Sequence, residues 1–256
     1  MAVRALPRRL RHGEEATLVE HLGELRSRIV ISLVSLTVSF GVAFAFHERL
    51  IHWLAAPLPE ERQRLITIGV TEPFLTAIKL SLYAALAFSL PIILWQLWSF
   101  LAPAMEERAQ RVVAVAVAAA TALFAAGLAF AYWIALPRAV HFLTNYDSHL
   151  YEVQIRASYY YSFAALVLIG IAMCFELPVF ILALVRLGIL TPAKLRRNRR
   201  MGYVLVVALA VILPTVDPVS LMLEAIPLLL LFEGSIWLSV FFDKRWHPAG
   251  EDAEEG

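Results

Sequence analysis

Cysteine is almost absent from this sequence. Its 256 residues carry one, Cys174, so no internal disulfide framework can staple the chain. Cys174 lies in an apolar run and reads as a small buried hydrophobe. Charge is scarce as well: 17% of residues are Asp, Glu, Lys or Arg, against ~25% in ordinary soluble domains. The net charge of +1 offers no basic excess of the nucleic-acid-binding kind. Catalytic signatures are missing too. His47-Glu-Arg-Leu-Ile-His52 has one residue too many for the zinc pattern His-Glu-x-x-His, and no Gly-x-Ser-x-Gly elbow or Walker loop occurs. No catalytic residue, metal site or cofactor is therefore expected. No internal repeat is visible, which removes the usual mark of an inverted-repeat transporter. No ordinary secretory signal is expected either, because the first apolar run follows acids as well as arginines and no small-x-small site comes after it.

Apolar residues make up 60% of the chain, and the mean hydropathy is +0.71. Both values belong to the membrane class. A span needs ~20 mostly apolar residues, and the candidates are Ile29–Phe46, Pro73–Leu101, Val112–Leu136, Ser162–Val185, Tyr203–Leu213 and Val219–Phe242. The fifth is too short to cross a full bilayer unless it extends or the membrane thins. Pro214 and Pro218 frame a tight polar turn between the fifth and sixth. Six spans put both termini on one side. The segments on that side hold 16 lysines and arginines and those opposite hold 5, so the termini are expected in the cytoplasm. Residues 1–16 read as a cytoplasmic tail, 17–242 as the membrane domain and 243–256 as an acidic cytoplasmic tail. The basic run Lys194-Leu-Arg-Arg-Asn-Arg-Arg200 reads as a topology anchor, with a partner or anionic lipid as the alternative. Residues 137–161 carry too many polar groups to span and read as short helices at the outer interface.

Several polar residues need an explanation. Glu176 sits in the fourth span, followed by Pro178, which can kink the helix. A carboxylate there costs ~2.5–3.5 kcal/mol on insertion scales. Glu176 is therefore either protonated and bonded to a neighbouring helix or turned to a wet cavity. Glu224 and Glu233 are nine residues apart and point to nearly opposite faces of the sixth span, so they form no carboxylate pair. Both read as structural. Asp217 precedes Pro218 and reads as a helix N-cap. Leu18, Leu22, Leu25 and Ile29 fall at helical spacing and predict an amphipathic helix on the inner surface before the first span, with Glu24 and Arg28 as an i,i+4 pair. The loop Phe100-Leu-Ala-Pro-Ala-Met-Glu-Glu-Arg-Ala-Gln-Arg111 puts Glu106 and Glu107 on the same side as Glu24. Carboxylates there suit a basic peptide, since they accept bidentate hydrogen bonds from arginine. Mixed charge in a short loop is more often plain solvation.

Taken together, Leu18-Val-Glu-His-Leu-Gly-Glu-Leu-Arg-Ser-Arg28, Glu72-Pro73-Phe74, Leu90-Pro91 to Trp98, Phe100-Leu-Ala-Pro103, Phe175-Glu-Leu-Pro178 and Ala225-Ile-Pro227 to Phe232-Glu233 resemble TatC. TatC is the receptor subunit of the twin-arginine protein translocase. The resemblance runs over residues 17–242, in order. It implies an all-α polytopic fold: a concave, glove-like bundle of six transmembrane helices, the last two short, with both termini inside. It implies recognition of signal peptides with paired arginines, and export of folded proteins across the cytoplasmic membrane on the proton-motive force. The implied partners are TatA/TatB-type single-span subunits, folded cargo proteins, membrane lipid and further copies in a larger complex. By the same resemblance Glu24 helps bind the arginine pair, Arg26 is a functional basic residue, and Phe100 opens the first-loop motif. Pro57, Pro91 and Asp217 match family positions, and Glu176 lines the concave face. The family loop has a glutamate six positions after its proline, where this chain has Ala109. A two-residue shift would give that role to Glu107. The competing reading is an ion-coupled transporter with Glu176 or Glu224 as proton carrier.

Overall fold

A computed structural model of the chain describes residues 18–59, 64–101, 109–150, 153–214 and 218–246, with the backbone alone at 18–21, 101, 109–113 and 243–246. Helix α1 is one unbroken element, Leu18–Ala45, of 28 residues. The expected surface helix and first span are therefore a single helix. No proline interrupts the stretch, so the amphipathic turns run straight into the apolar ones. A one-residue turn at Phe46 leads to α2, His47–Ala55.

Helix α3 spans Glu72–Leu101 with Pro91 inside it. Helix α4, Ala109–Phe130, passes through a π-turn, Ala131–Ala135, into α5, Leu136–Asn145. The sequence suggested a span ending at Leu136 and separate short helices beyond. The helix instead continues past Pro137, because the wider π-turn lies just where the proline withholds a backbone N–H.

Helices α6, Ala157–Cys174, and α7, Leu177–Arg186, form one span broken at Phe175 and Glu176. Pro178, in the first turn of α7, removes the N–H that would continue the helix. A short α8, Pro192–Arg197, capped by the Thr191 side chain, leads into α9, Arg199–Ile212. Helix α9 has 14 residues, ~21 Å at 1.5 Å per residue. It is the short arm that hydropathy expected. Helix α10, Pro218–Trp246, has 29 residues and is longer than the resemblance implied.

Among the described residues, five stretches are long and apolar enough to cross a membrane: Leu22–Ala45, Glu72–Phe100, Ala114–Asn145, Ala157–Arg186 and Pro218–Phe242. The α6–α7 span is the centre of the molecule, with 50% of its most apolar stretch buried against 6% for α1. Its alanines allow close neighbours. Ala164, Val167, Leu168 and Ile171 pack with Ala131, Ala135 and Leu136 and with Leu228, Phe232 and Ile236 of α10. Helix α1 packs chiefly on α3. At the α2 end, residues 64–66 and 153–157 pair through a bridge, with Ile66 N donating to Ile155 O at 3.0 Å and Ala157 N to Ile66 O at 2.9 Å.

Candidate functional site

The end of the bundle where α1 begins carries the first site. Arg28 Nη2 donates to Glu24 Oε1, one turn earlier, and Nη1 donates to the Gln96 carbonyl of α3 at 3.4 Å. The expected i,i+4 pair is present, and it is also tied to the neighbouring span. The Arg28 side chain is 19% exposed and that of Glu24 is 35% exposed. The carboxylate is therefore held in place while still reachable. Consecutive spans run antiparallel, so one turn toward the start of α1 matches one turn toward the end of α3. The Arg28–Gln96 contact thus places Glu24 and part-buried Phe100 at the same end of the α1–α3 pair. Arg26 is exposed and, ~200° around the helix from Glu24, does not share its face. Glu107 and Asp217, and Glu106 with them, lie outside the described residues.

The second site is the bend in the α6–α7 span. Glu176 occupies the N-cap position of α7, and Phe180 N donates to its carbonyl at 3.0 Å. Its side chain is part-buried, and Oε1 is buried without a hydrogen-bond partner among the described residues. Glu224 of α10 is 1% exposed, and the Cys174 thiol that ends α6 is buried too. The backbones close in here. A Cβ on Gly127 of α4 would stand 2.7 Å from Ala172 Cα and 2.9 Å from Phe175 Cβ. Pro91 is part-buried, beside Leu90, which packs with Phe124 and Ala172. Pro57 is part-buried in the turn after α2, next to the buried Leu58. Glu24 and Phe100 thus share one end, Pro91 and Glu176 flank the bend, and Pro57 belongs to the far end.

A third cluster escaped sequence reading. Glu72, 6% exposed at the start of α3, accepts Arg156 Nε at 2.8 Å, Ile68 N at 3.0 Å, Gly69 N at 3.3 Å and Ser158 N at 3.3 Å. Its hydrogen bond raises the Arg156 guanidinium above the usual arginine range. The carboxylate clamps the two loops at the α2 end. The available signal was a carboxylate heading an apolar run, with its partner 84 residues away. Glu233 meets its structural expectation: Tyr203 Oη donates to Oε1, and Arg199 Nη2 lies 3.6 Å from Oε2, tying α9 to α10. Among the described residues no group of three or more His, Cys, Asp or Glu is placed to hold a metal ion.

This arrangement has counterparts. A family model described as Sec-independent protein translocase protein (TatC) matches residues 20–227. The chain is 34% identical over 232 residues to the Sec-independent protein translocase protein TatCd of Bacillus subtilis, covering 91% of this chain and 95% of that one. It is 35% identical to TatC of Escherichia coli, covering 93% and 92%. Among solved structures, a crystal structure of the twin-arginine translocase receptor TatC in DDM superposes with a TM-score of 0.76 at 33% identity, covering 86% of this chain and 99% of that one.

Proposed function

The chain belongs to the TatC family of Sec-independent protein translocase proteins, and on that premise we propose that it is the receptor and core subunit of a twin-arginine translocase. It binds signal peptides with paired arginines, acts with TatA/TatB-type single-span subunits and passes folded cargo on the proton-motive force. It is a transport component with no catalytic residue of its own. Both termini face the cytoplasm, a reading supported by the 16 basic residues on that side against 5 opposite.

The observation that carries this reading is the Glu24 carboxylate, held by Arg28 yet reachable at the end of the bundle where Phe100 also lies. Arginine matches a carboxylate with two parallel N–H donors, which lysine cannot supply. A signal arginine meets Glu24 with Oε1 engaged by Arg28 and binds by sharing or taking over that oxygen. Glu107, in the loop after α3, supplies the second carboxylate in place of the acid missing at Ala109.

The test is the affinity of a purified twin-arginine signal peptide. Hydrogen bonds to charged groups are worth ~1.5–3 kcal/mol. Glu24 is a third exposed, so the low end applies. Glu24→Gln is expected to weaken binding about tenfold, and to erase the preference for arginine over lysine, with membrane insertion intact. Unchanged binding removes Glu24 from the site. Glu107→Gln is expected to act likewise and Glu106→Gln to do little, since only one acid is needed to take the place of the one missing at Ala109. If Ala109→Glu tightens binding while Glu107→Gln does nothing, position 109 is the true site.

A further inference from the structure

We propose that a groove at the α2 end of the molecule holds one phospholipid, with an acyl chain against α1 and α3 and its phosphate on Arg49. The groove has a volume of about 500 Å³ and is lined by Val42, Ala43, Phe46, Leu50, Trp53 and Phe88, with Arg49 at its mouth. Apart from Arg49, every lining side chain is apolar or aromatic. Arg49 contributes its methylene stem to the wall, while its guanidinium stands 5.2 Å over the Phe46 ring. No ion pair engages that guanidinium among the described residues, and Arg49 is exposed. An unpaired cation at the lip of an apolar groove, at the end of two membrane spans, complements the charge of a phosphate whose chains must lie in hydrocarbon.

The walls are fixed independently of any occupant. Tyr132 Oη donates to the Trp53 carbonyl at 2.9 Å and Tyr160 Oη to the Leu54 carbonyl at 2.8 Å. The Trp53 indole stacks on Tyr132 at 3.9 Å and 4°. These contacts pin the α2 wall to the core, so the groove is not a passing gap between loose helices. Trp53, 46% exposed, sits where aromatic side chains mark the membrane–water boundary. Charge separates the two occupants a membrane offers. The apolar face of a membrane helix brings no anion to Arg49, whereas a phospholipid carries its phosphate directly above its hydrocarbon chains.

The test is lipid retention by the full chain, read by native mass spectrometry after detergent extraction and incubation with dioleoylphosphatidylglycerol. One lipid per chain is expected. Arg49→Gln should lower retention about fivefold, the effect of one cation near a lipid surface, and Arg49→Lys should restore most of it. Val42→Trp fills the groove and leaves Arg49 in place, and it should lower retention as well. Dioleoylglycerol, which lacks the phosphate, should be retained no better by the parent than by Arg49→Gln. Retention unchanged in both Arg49→Gln and Val42→Trp overturns the proposal, as does equal retention of dioleoylglycerol and phosphatidylglycerol by the parent. A photo-crosslinker replacing Phe88 should label lipid. Labelling of polypeptide alone assigns the groove to a membrane helix and overturns the proposal too.

Discussion

Glu72 and Glu176 are both carboxylates in or beside spans, and they stand in opposite positions. Glu72 is fully served: three backbone N–H groups and Arg156 converge on it. Removing it strands four donors, whereas removing Arg156 strands the one carboxylate that the backbone still serves. Glu72→Ala is therefore expected to destabilise the protein more than Arg156→Ala, in thermal unfolding in detergent and in proteolysis of the two loops. The reverse order would mean that Arg156 has a role beyond the clamp. Glu176 is underserved, with one oxygen buried and unpartnered among the described residues. A buried polar atom without a partner costs ~1–3 kcal/mol. Glu176→Leu is then expected to leave the isolated subunit as stable as the parent, or more so by about 1 kcal/mol, and to impair export. Degradation of the variant would show that the carboxylate is structural.

At the scale of elements, the span positions were legible because hydropathy and length decide what crosses a bilayer. The break in the fourth span was legible because proline cannot donate. The short α9 was legible from its 11 apolar residues before Pro214. The continuation of α4 into α5 was not, because polar residues after Leu136 looked like an interface and no residue type announces a π-turn. The Glu72 clamp and the Arg28–Gln96 contact were not legible either, since their partners lie 84 and 68 residues away. Of the site, Glu24 and its Arg28 partner were readable from i,i+4 spacing, while the tie from Arg28 to α3 needed the packing of α1 on α3. Helix spacing at the bend rests on one glycine. Gly127→Ala places a methyl group under 3 Å from the α6 backbone, an overpacking that costs about 1–3 kcal/mol. Gly234→Ala meets nothing within 4 Å and should be neutral or stabilising by up to ~1 kcal/mol through helix propensity. Paired melting curves of the two variants check the contrast, and equal melting would mean that α4 can move away from α6 freely.

For the whole molecule, burial is uneven, and the imbalance can be read by labelling. Cys174 is buried, so single cysteines introduced elsewhere report on their own positions. Cysteines replacing Val34 or Val38, 57% and 61% exposed, are expected to react with a membrane-soluble maleimide in the isolated subunit. One replacing Val167, 0% exposed, should stay unmodified until the protein unfolds. Reaction at all three sites would contradict a core centred on α6. The same imbalance gives α1 a mechanical character. It is one unbroken helix of 28 residues, ~42 Å long, packed along one side on α3. Its two ends carry Glu24 and the wall of the Arg49 groove. A helix held along one side has only its length to carry a displacement: a tilt of ~5° about one end would move the other through roughly 4 Å. Any such tilt would couple the two ends without a helix having to unwind.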